Sequence, residues 1–587
     1  MRFLRHIALP SIAVLAALIP VWAQTPQSGA LDASVPAMRA LIERYNTDRD
    51  TIASVYTDPT SSSTRERQAA FFKENRTELA AIDFASLDRE SQADYVLFAN
   101  LLVQEEHRLE LEQHQWNDVA PLLPFAPAIF ALEDAKRRME RPDPQKSAAT
   151  IDLLAKSVAA SRKEMEPRAK DAMPALRISA WRAAACLDQL GEQLKKWFEF
   201  SNGYDPAFTW WVAEPYKKAA AAMKDYSAIL REKVAGIAPD DKTTVIGTPI
   251  GRDALVGQLD DAMIPYSPEE LIGMAKDQLV WCQREMVKAS RELGYGDDWH
   301  KALEAVKNAY VEPGKQPELI RSLALEGAKF AEDRSLVTIP PLAKETWRME
   351  MMSPERQLVN PFFLGGDTII VSYPTDTMTY DQRLMSMRGN NPYFSRATVF
   401  HELIPGHWLQ QYSAARLRPY RQAFASGFWI EGNAFYWELI YWDLGFDATP
   451  QQRIGALFWR MHRCARIIFS LSFHLGQMTP QEAIDFLVDN VGHERDNATA
   501  EVRRSFNGDY DPLYQCSYML GALQFRALHH ELVDSGKMTN RQYHDAILKE
   551  GMMPVPVLRA ILTGERLMPD WKPNWRFLES VRPAMGK

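Results

Sequence analysis

Residues 424 to 446 read FASGFWIEGNAFYWELIYWDLGF. Around Glu431 stand Phe428, Trp429, Ile430, Phe435, Tyr436, Trp437, Leu439, Ile440, Tyr441 and Trp442, so a helix formed here is apolar nearly all round. Such a helix has to be buried, and the chain around it must supply the cover. At 587 residues and 46% apolar composition there is enough material for one large core or for two to three domain-sized ones. Two acids break the apolar run. Glu431 and Glu438 lie seven apart, within about 20° of each other on one helical face, and a buried carboxylate without a partner costs several kcal/mol. Either a divalent cation or a basic neighbour has to compensate. The competing reading is a buried salt bridge to an arginine of RMHRCARI at 460 to 467.

The segment TVFHELIPGHWLQ at 398 to 410 decides between them. It resembles the zinc-protease helix motif H-E-x-x-H with two residues too many, since the second histidine is His407. On a regular helix positions six apart are roughly 120° off, so His401 and His407 do not converge on one ion. Pro405 and Gly406 lie between them. Proline removes the N–H that would bond back to the His401 carbonyl, and glycine tolerates irregular dihedrals, so a bulge or kink can rotate His407 back toward His401. Two imidazoles and a carboxylate suit zinc. His401, His407 and Glu431 are therefore the expected ligands of one Zn²⁺ per chain.

The remaining sequence is mostly helical. From about Ser34 to Leu230 apolar residues recur at spacings of three and four, as in WRAAACLDQLGEQLKKWFEF. Between about Asp240 and Asp376 come short β-rich runs bounded by Gly and Pro: TTVIGTPIG, SLVTIPPL, ETWRMEMM and DTIIVSYPTD. A small sheet is expected there. Within the same region Ser267 and Glu270 form a capping box for a helix that closes at Gly294. Helices resume after Asn391. The expected organisation is a leader over 1–23, a helical region over 24–239, a mixed region with a small sheet over 240–390, and a helical catalytic region over 391–587. The leader reads as a signal peptide: Arg2 and Arg5, an apolar run short for a membrane span, and Val21-Trp22-Ala23 as exit. No cysteine follows that run, so an exported protein, periplasmic or secreted, without a lipid anchor or a stable span after processing is expected. Cys186, Cys282, Cys464 and Cys516 allow three pairings that spacing does not rank. The net charge of −8 is interspersed, without a basic stripe, which argues against nucleic acid.

FHELIPGHWLQ followed by EGNAFYWE resembles the domain-of-unknown-function family 885, whose members carry H-E-x-x-P-G-H and E-G-x-A-x-Y-x-E, and which is similar to gluzincin metallopeptidases such as carboxypeptidase Taq. GTPIGRDALVGQLDDAMIPYSPEELIGMAKDQL near 250, RCARIIFSLSFHLGQMTPQEAIDFL and EVRRSFNGDYDPLYQCSYMLGALQFRAL extend it over roughly residue 240 to the C-terminus. Trp408, Asn433 and Ser470 depart from the family pattern. The resemblance implies a mainly α, large helical gluzincin-like architecture with a small sheet beside the catalytic helices and a deep central cleft.

It also implies roles. Glu402, adjacent to the first ligand, is the expected general base toward water attacking a peptide carbonyl. Tyr518 and His474, which match family positions, are the candidates for stabilising the oxyanion. Glu438 is expected to orient a ligand histidine through its other ring nitrogen. His493, His529 and His530, in polar local surroundings, read as surface. The expected function is an exported zinc-dependent peptidase, with an exopeptidase preference on short peptides suggested by a deep site. The alternative is a peptide-binding or scaffold protein that keeps the fold without the chemistry. The intact set His401, Glu402, His407 and Glu431 argues against it.

Overall fold

The computed structural model describes residues 35–585 apart from 172, 240, 242, 243, 358–361 and 509. The expected signal peptide lies outside the described residues. Helix starts are set by side chains that accept backbone N–H groups. Ser267 and Glu270 form the anticipated capping box for helix Pro268–Glu292, and Thr449 with Gln452 does the same for helix Pro450–His474. The structure is mainly helical with one small sheet.

Of the four β-rich runs, two form strands: Arg348–Met351 pairs in parallel with Thr368–Val371, Arg348 opposite Thr368. The other two do not, because their backbone groups find partners elsewhere. The Thr338 N–H donates to Asp545 Oδ1 (2.8 Å) and the Leu336 carbonyl lies 2.8 Å from His544 Nδ1. Pro340 and Pro341 then remove two ladder donors. At Gly247 the chain runs so close to Phe473 and Phe506 that a Cβ would stand 2.5 Å from the Phe473 ring.

The largest hydrophobic cluster joins the helices between residues 37 and 109 to those between 252 and 585. The helices between 119 and 234 pack around a second cluster of their own. A third, formed by Ile320, Leu323, Phe363, Ile369, Val371, Val399 and Leu403, seats the small sheet against the helix that carries His401. Among the described residues no helix is long and apolar enough to cross a membrane. The four cysteines are free.

The apolar helix Gly427–Asp443 is buried over most of its length, as its composition requires. It crosses helix Tyr514–His529 with backbone nearly touching backbone. A Cβ on Gly432 would stand 2.5 Å from the Gly521 Cα, and one on Gly521 would stand 2.0 Å from the Phe428 carbonyl oxygen. This crossing sets how near Glu431 comes to Tyr514 and Tyr518. Gly521→Ala is therefore expected to destabilise by about 1–3 kcal/mol, the cost of overpacking a tight core, despite alanine's better helix propensity. Chemical denaturation of the variant checks this, and an unchanged midpoint would contradict it.

Candidate metal centre

The two histidines of the motif belong to different helices. His401 sits in the last turn of helix Pro392–Glu402, and His407 opens helix His407–Ala414. Leu403 leaves the helical region (φ −114°, ψ −97°), the Ile404–Pro405 peptide is cis, and Gly406 turns the chain (φ −80°, ψ −133°). The Gly406 N–H donates to the Phe400 carbonyl (3.0 Å) and the Leu409 N–H to the Leu403 carbonyl (3.2 Å), each closing a loop wider than a helical turn. A Cβ on Gly406 would stand 1.8 Å from the His401 carbonyl oxygen, so only glycine lets the turn fold down onto it. The expected kink is thus a full interruption of the helix. Its result is that the two imidazole rings face each other at 89°, centroids 4.8 Å apart.

Glu431 completes the group. Its Oε2 lies 3.6 Å from His401 Nε2 and 3.2 Å from His407 Nε2. One ligand atom from each of the three residues falls within 4.8 Å of the others, and all three residues are buried. Each remaining polar atom is held from behind. His401 Nδ1 lies 2.8 Å from Glu438 Oε1. His407 Nδ1 lies 3.3 Å from Gln410 Oε1, while Gln410 Nε2 donates to the Ile430 carbonyl (3.1 Å) and to Asn433 Oδ1 (3.0 Å). With Nδ1 of both rings turned to acceptors, both Nε2 lone pairs point at the common space. Tyr514 donates its hydroxyl hydrogen to Glu431 Oε1 at 2.6 Å.

The donors fit a divalent cation. Glu431 Oε2 is buried without completing a hydrogen bond, and so are His401 Nδ1 and Glu438 Oε1 despite their closeness. The electrostatics favour positive charge in the same place. Burial opposes a charged imidazole at His401, yet Glu431 and Glu438 hold it up at about 9. Burial likewise raises Glu431, but His407 and His401 draw it well below the ordinary carboxylate range. Two imidazoles and one carboxylate, with outer partners on each, form a donor set suited to zinc.

Glu402 is partly exposed and lines the same cavity of about 340 Å³ as the three. The loop bearing Gly365 and Gly366 lies against it. A Cβ on Gly365 would stand 2.2 Å from Glu402 Oε2, and the Gly366 N–H donates to the Glu402 main-chain carbonyl at 3.4 Å. Burial pushes the Glu402 carboxyl up, with His401 and His407 pulling it back. Tyr518 is also at the cavity, its ring stacked at 6.2 Å and 13° on that of His401, its hydroxyl 3.2 Å from that of Tyr514.

His474 is not there. It ends helix Pro450–His474, roughly 12 Å beyond the cavity-lining Arg466 at ~1.5 Å per residue, packed against Phe473 and Phe506. Burial alone brings its imidazole down to about 4, and neither ring nitrogen has a partner. His493 is not at the surface either. It is buried with its Nε2 2.8 Å from His462 Nδ1, while His529 and His530 are half-buried. Gln410, Tyr514 and the cavity-lining Arg463 and Arg466 were missed as site residues. The signals were available in part: Gln410 follows His407 by three, and Tyr514 precedes Tyr518 by four, each pair on one helical face.

The family model described as "Bacterial protein of unknown function (DUF885)" matches residues 45–562. Two solved structures share the fold. A "putative lipoprotein of unknown function" from Shewanella oneidensis is 17% identical at a TM-score of 0.66, over 90% of this chain and 100% of that one. A lipoprotein so described from Colwellia psychrerythraea is 15% identical at a TM-score of 0.54, over 90% and 98%. No curated protein matches the chain.

Proposed function

The chain belongs to the DUF885 family of bacterial proteins, and from that premise and the site's geometry we propose that it is a zinc-dependent hydrolase of peptide bonds, similar in its catalytic plan to the gluzincin peptidases. The observation that carries the reading is the meeting of His401, His407 and Glu431 in the wall of a cavity that Glu402 also lines. Zinc held there would polarise the scissile carbonyl and make water nucleophilic near neutral pH.

The chain's own residues supply the rest. Glu402 takes a proton from the attacking water and returns it to the leaving amine, a task that suits a carboxyl raised by burial. Tyr518 donates from its hydroxyl to the oxyanion. Tyr514 has its hydrogen committed to Glu431 and positions that carboxylate. His474 has no part, being distant. Glu438 and Gln410 hold the two imidazoles in orientation. A cavity of about 340 Å³ favours short or unfolded peptides over folded proteins. Tyr518→Phe is expected to lower kcat by about 10²–10³-fold, the typical loss of one oxyanion donor, with KM little changed. Steady-state kinetics on any cleaved peptide checks it, and an unaltered kcat removes Tyr518 from the reaction.

The site of action proposed is outside the cytoplasm. The charged start and apolar run of residues 1–23 support it, as does the description of both structural neighbours as lipoproteins. N-terminal sequencing of exported material should return Gln24. Met1 at that end would contradict it.

The test of the hydrolase reading is mass-spectrometric cleavage of a peptide library. Cleavage that stops with a zinc chelator and returns with added zinc is the expected result. Cleavage indifferent to chelator would refute it.

A further inference from the structure

We propose that Arg463 and Arg466, backed by Arg504, form a carboxylate subsite on the cavity wall, and that the substrates present a free terminal carboxylate to it close to the bond that is cut. The assignment of substrate rests on the hydrolase reading; the subsite itself rests on the arginines.

Arg463 and Arg466 are three apart on helix Pro450–His474, Arg504 lies on helix Arg495–Phe506, and all three line the cavity with His401, His407 and Glu431. Both guanidinium groups of the first pair sit on the Tyr518 ring, at 4.6 Å and 4.5 Å from its centroid. That ring stacks on His401. A group bound by the two arginines is therefore held beside the ring that stacks on the first histidine.

The acids beside Arg463 and Arg466 are shared with other groups. Glu501, fully buried, is shared: its Oε1 accepts from Arg466 Nε at 2.6 Å and its Oε2 lies 2.9 Å from Arg504 Nε. Among the described residues the carboxylate paired with Arg463 is Glu438, at 3.8 Å, and it is already 2.8 Å from His401 Nδ1. Arg463 and Arg466 are only 5% and 3% exposed, and Arg463 Nε and Arg466 Nη1 are buried with no acceptor. Burying guanidinium donors without acceptors is costly unless a ligand completes them. The forked guanidinium geometry matches a planar carboxylate.

The experiment takes a peptide that the protein cleaves and compares it with its C-terminal amide and with an amidated version ending in glutamate. We expect amidation to lower kcat/KM by roughly 10²-fold, in line with loss of charge-assisted hydrogen bonds, and the glutamate side chain not to restore it. Arg463→Gln, which breaks no hydrogen bond, should narrow the acid-to-amide ratio at least tenfold. Equal rates for acid and amide would overturn the subsite while leaving the hydrolase reading intact. Full rescue by the amidated glutamate peptide would overturn the terminal-carboxylate assignment in favour of an acidic side chain. If no peptide is cleaved, the hydrolase reading fails and calorimetry with N-acetyl-L-leucine decides the subsite. Binding weakened tenfold or more in Arg463→Gln, and absent for N-acetyl-L-leucinamide, supports it. No binding by the wild-type protein sinks it.

Discussion

Glu402→Gln is expected to keep its fold and its zinc while losing about 10²–10⁴-fold in turnover, the usual contribution of general-base catalysis. Glutamine has the size of glutamate, which matters because the Gly365 loop leaves no slack over that side chain. It cannot accept a proton from water. The ligand atoms of His401, His407 and Glu431 are untouched, and the hydrogen bond from Gly366 goes to the main-chain carbonyl of residue 402. Stability and metal content should therefore stay near wild type while kcat falls. A variant with wild-type turnover would remove Glu402 from the mechanism.

Glu431→Ala should abolish activity and empty the site. The substitution deletes the single oxygen that lies between both Nε2 atoms, at 3.6 Å and 3.2 Å, and strips Tyr514 of its acceptor. A buried hydroxyl left without a partner costs about 1–3 kcal/mol. Glu431→Gln separates the two effects, because its amide oxygen still serves Tyr514 while the ligand charge is gone. Zinc at 1,000 times its Kd should stabilise the wild-type chain by about 4 kcal/mol and neither variant appreciably. Thermal unfolding with and without zinc reads this directly. Equal stabilisation of wild type and Glu431→Ala would contradict Glu431 as a ligand.

What the residues alone revealed, and what they hid, follows from the range over which each signal acts. The burial of Gly427–Asp443 followed from composition, because ten large apolar residues around one helix leave no wet face. The closeness of His401, His407 and Glu431 was inferable from residue types. The path was not, since the i to i−6 hydrogen bonds across Pro405-Gly406 have no counterpart in helical periodicity. His493 was misread because its sequence neighbours are polar. Phe362 and Phe458, distant in the chain, cover it. His474 was misplaced because nothing local tells how far helix Pro450–His474 runs beyond the cavity. The lost strands at 244–251 and 335–342 depended on hydrogen-bond partners and rings supplied by His474, Phe506, His544 and Asp545. Gln410 and Tyr514 gained their roles only when other helices arrived beside them.

Elemental analysis of chain purified without chelator tests the central claim most directly. The geometry predicts about one zinc per chain in the wild-type protein, the same in Glu402→Gln, and none in His407→Ala or Glu431→Ala. A wild-type protein that is metal-free and whose unfolding temperature does not rise with added zinc would contradict it.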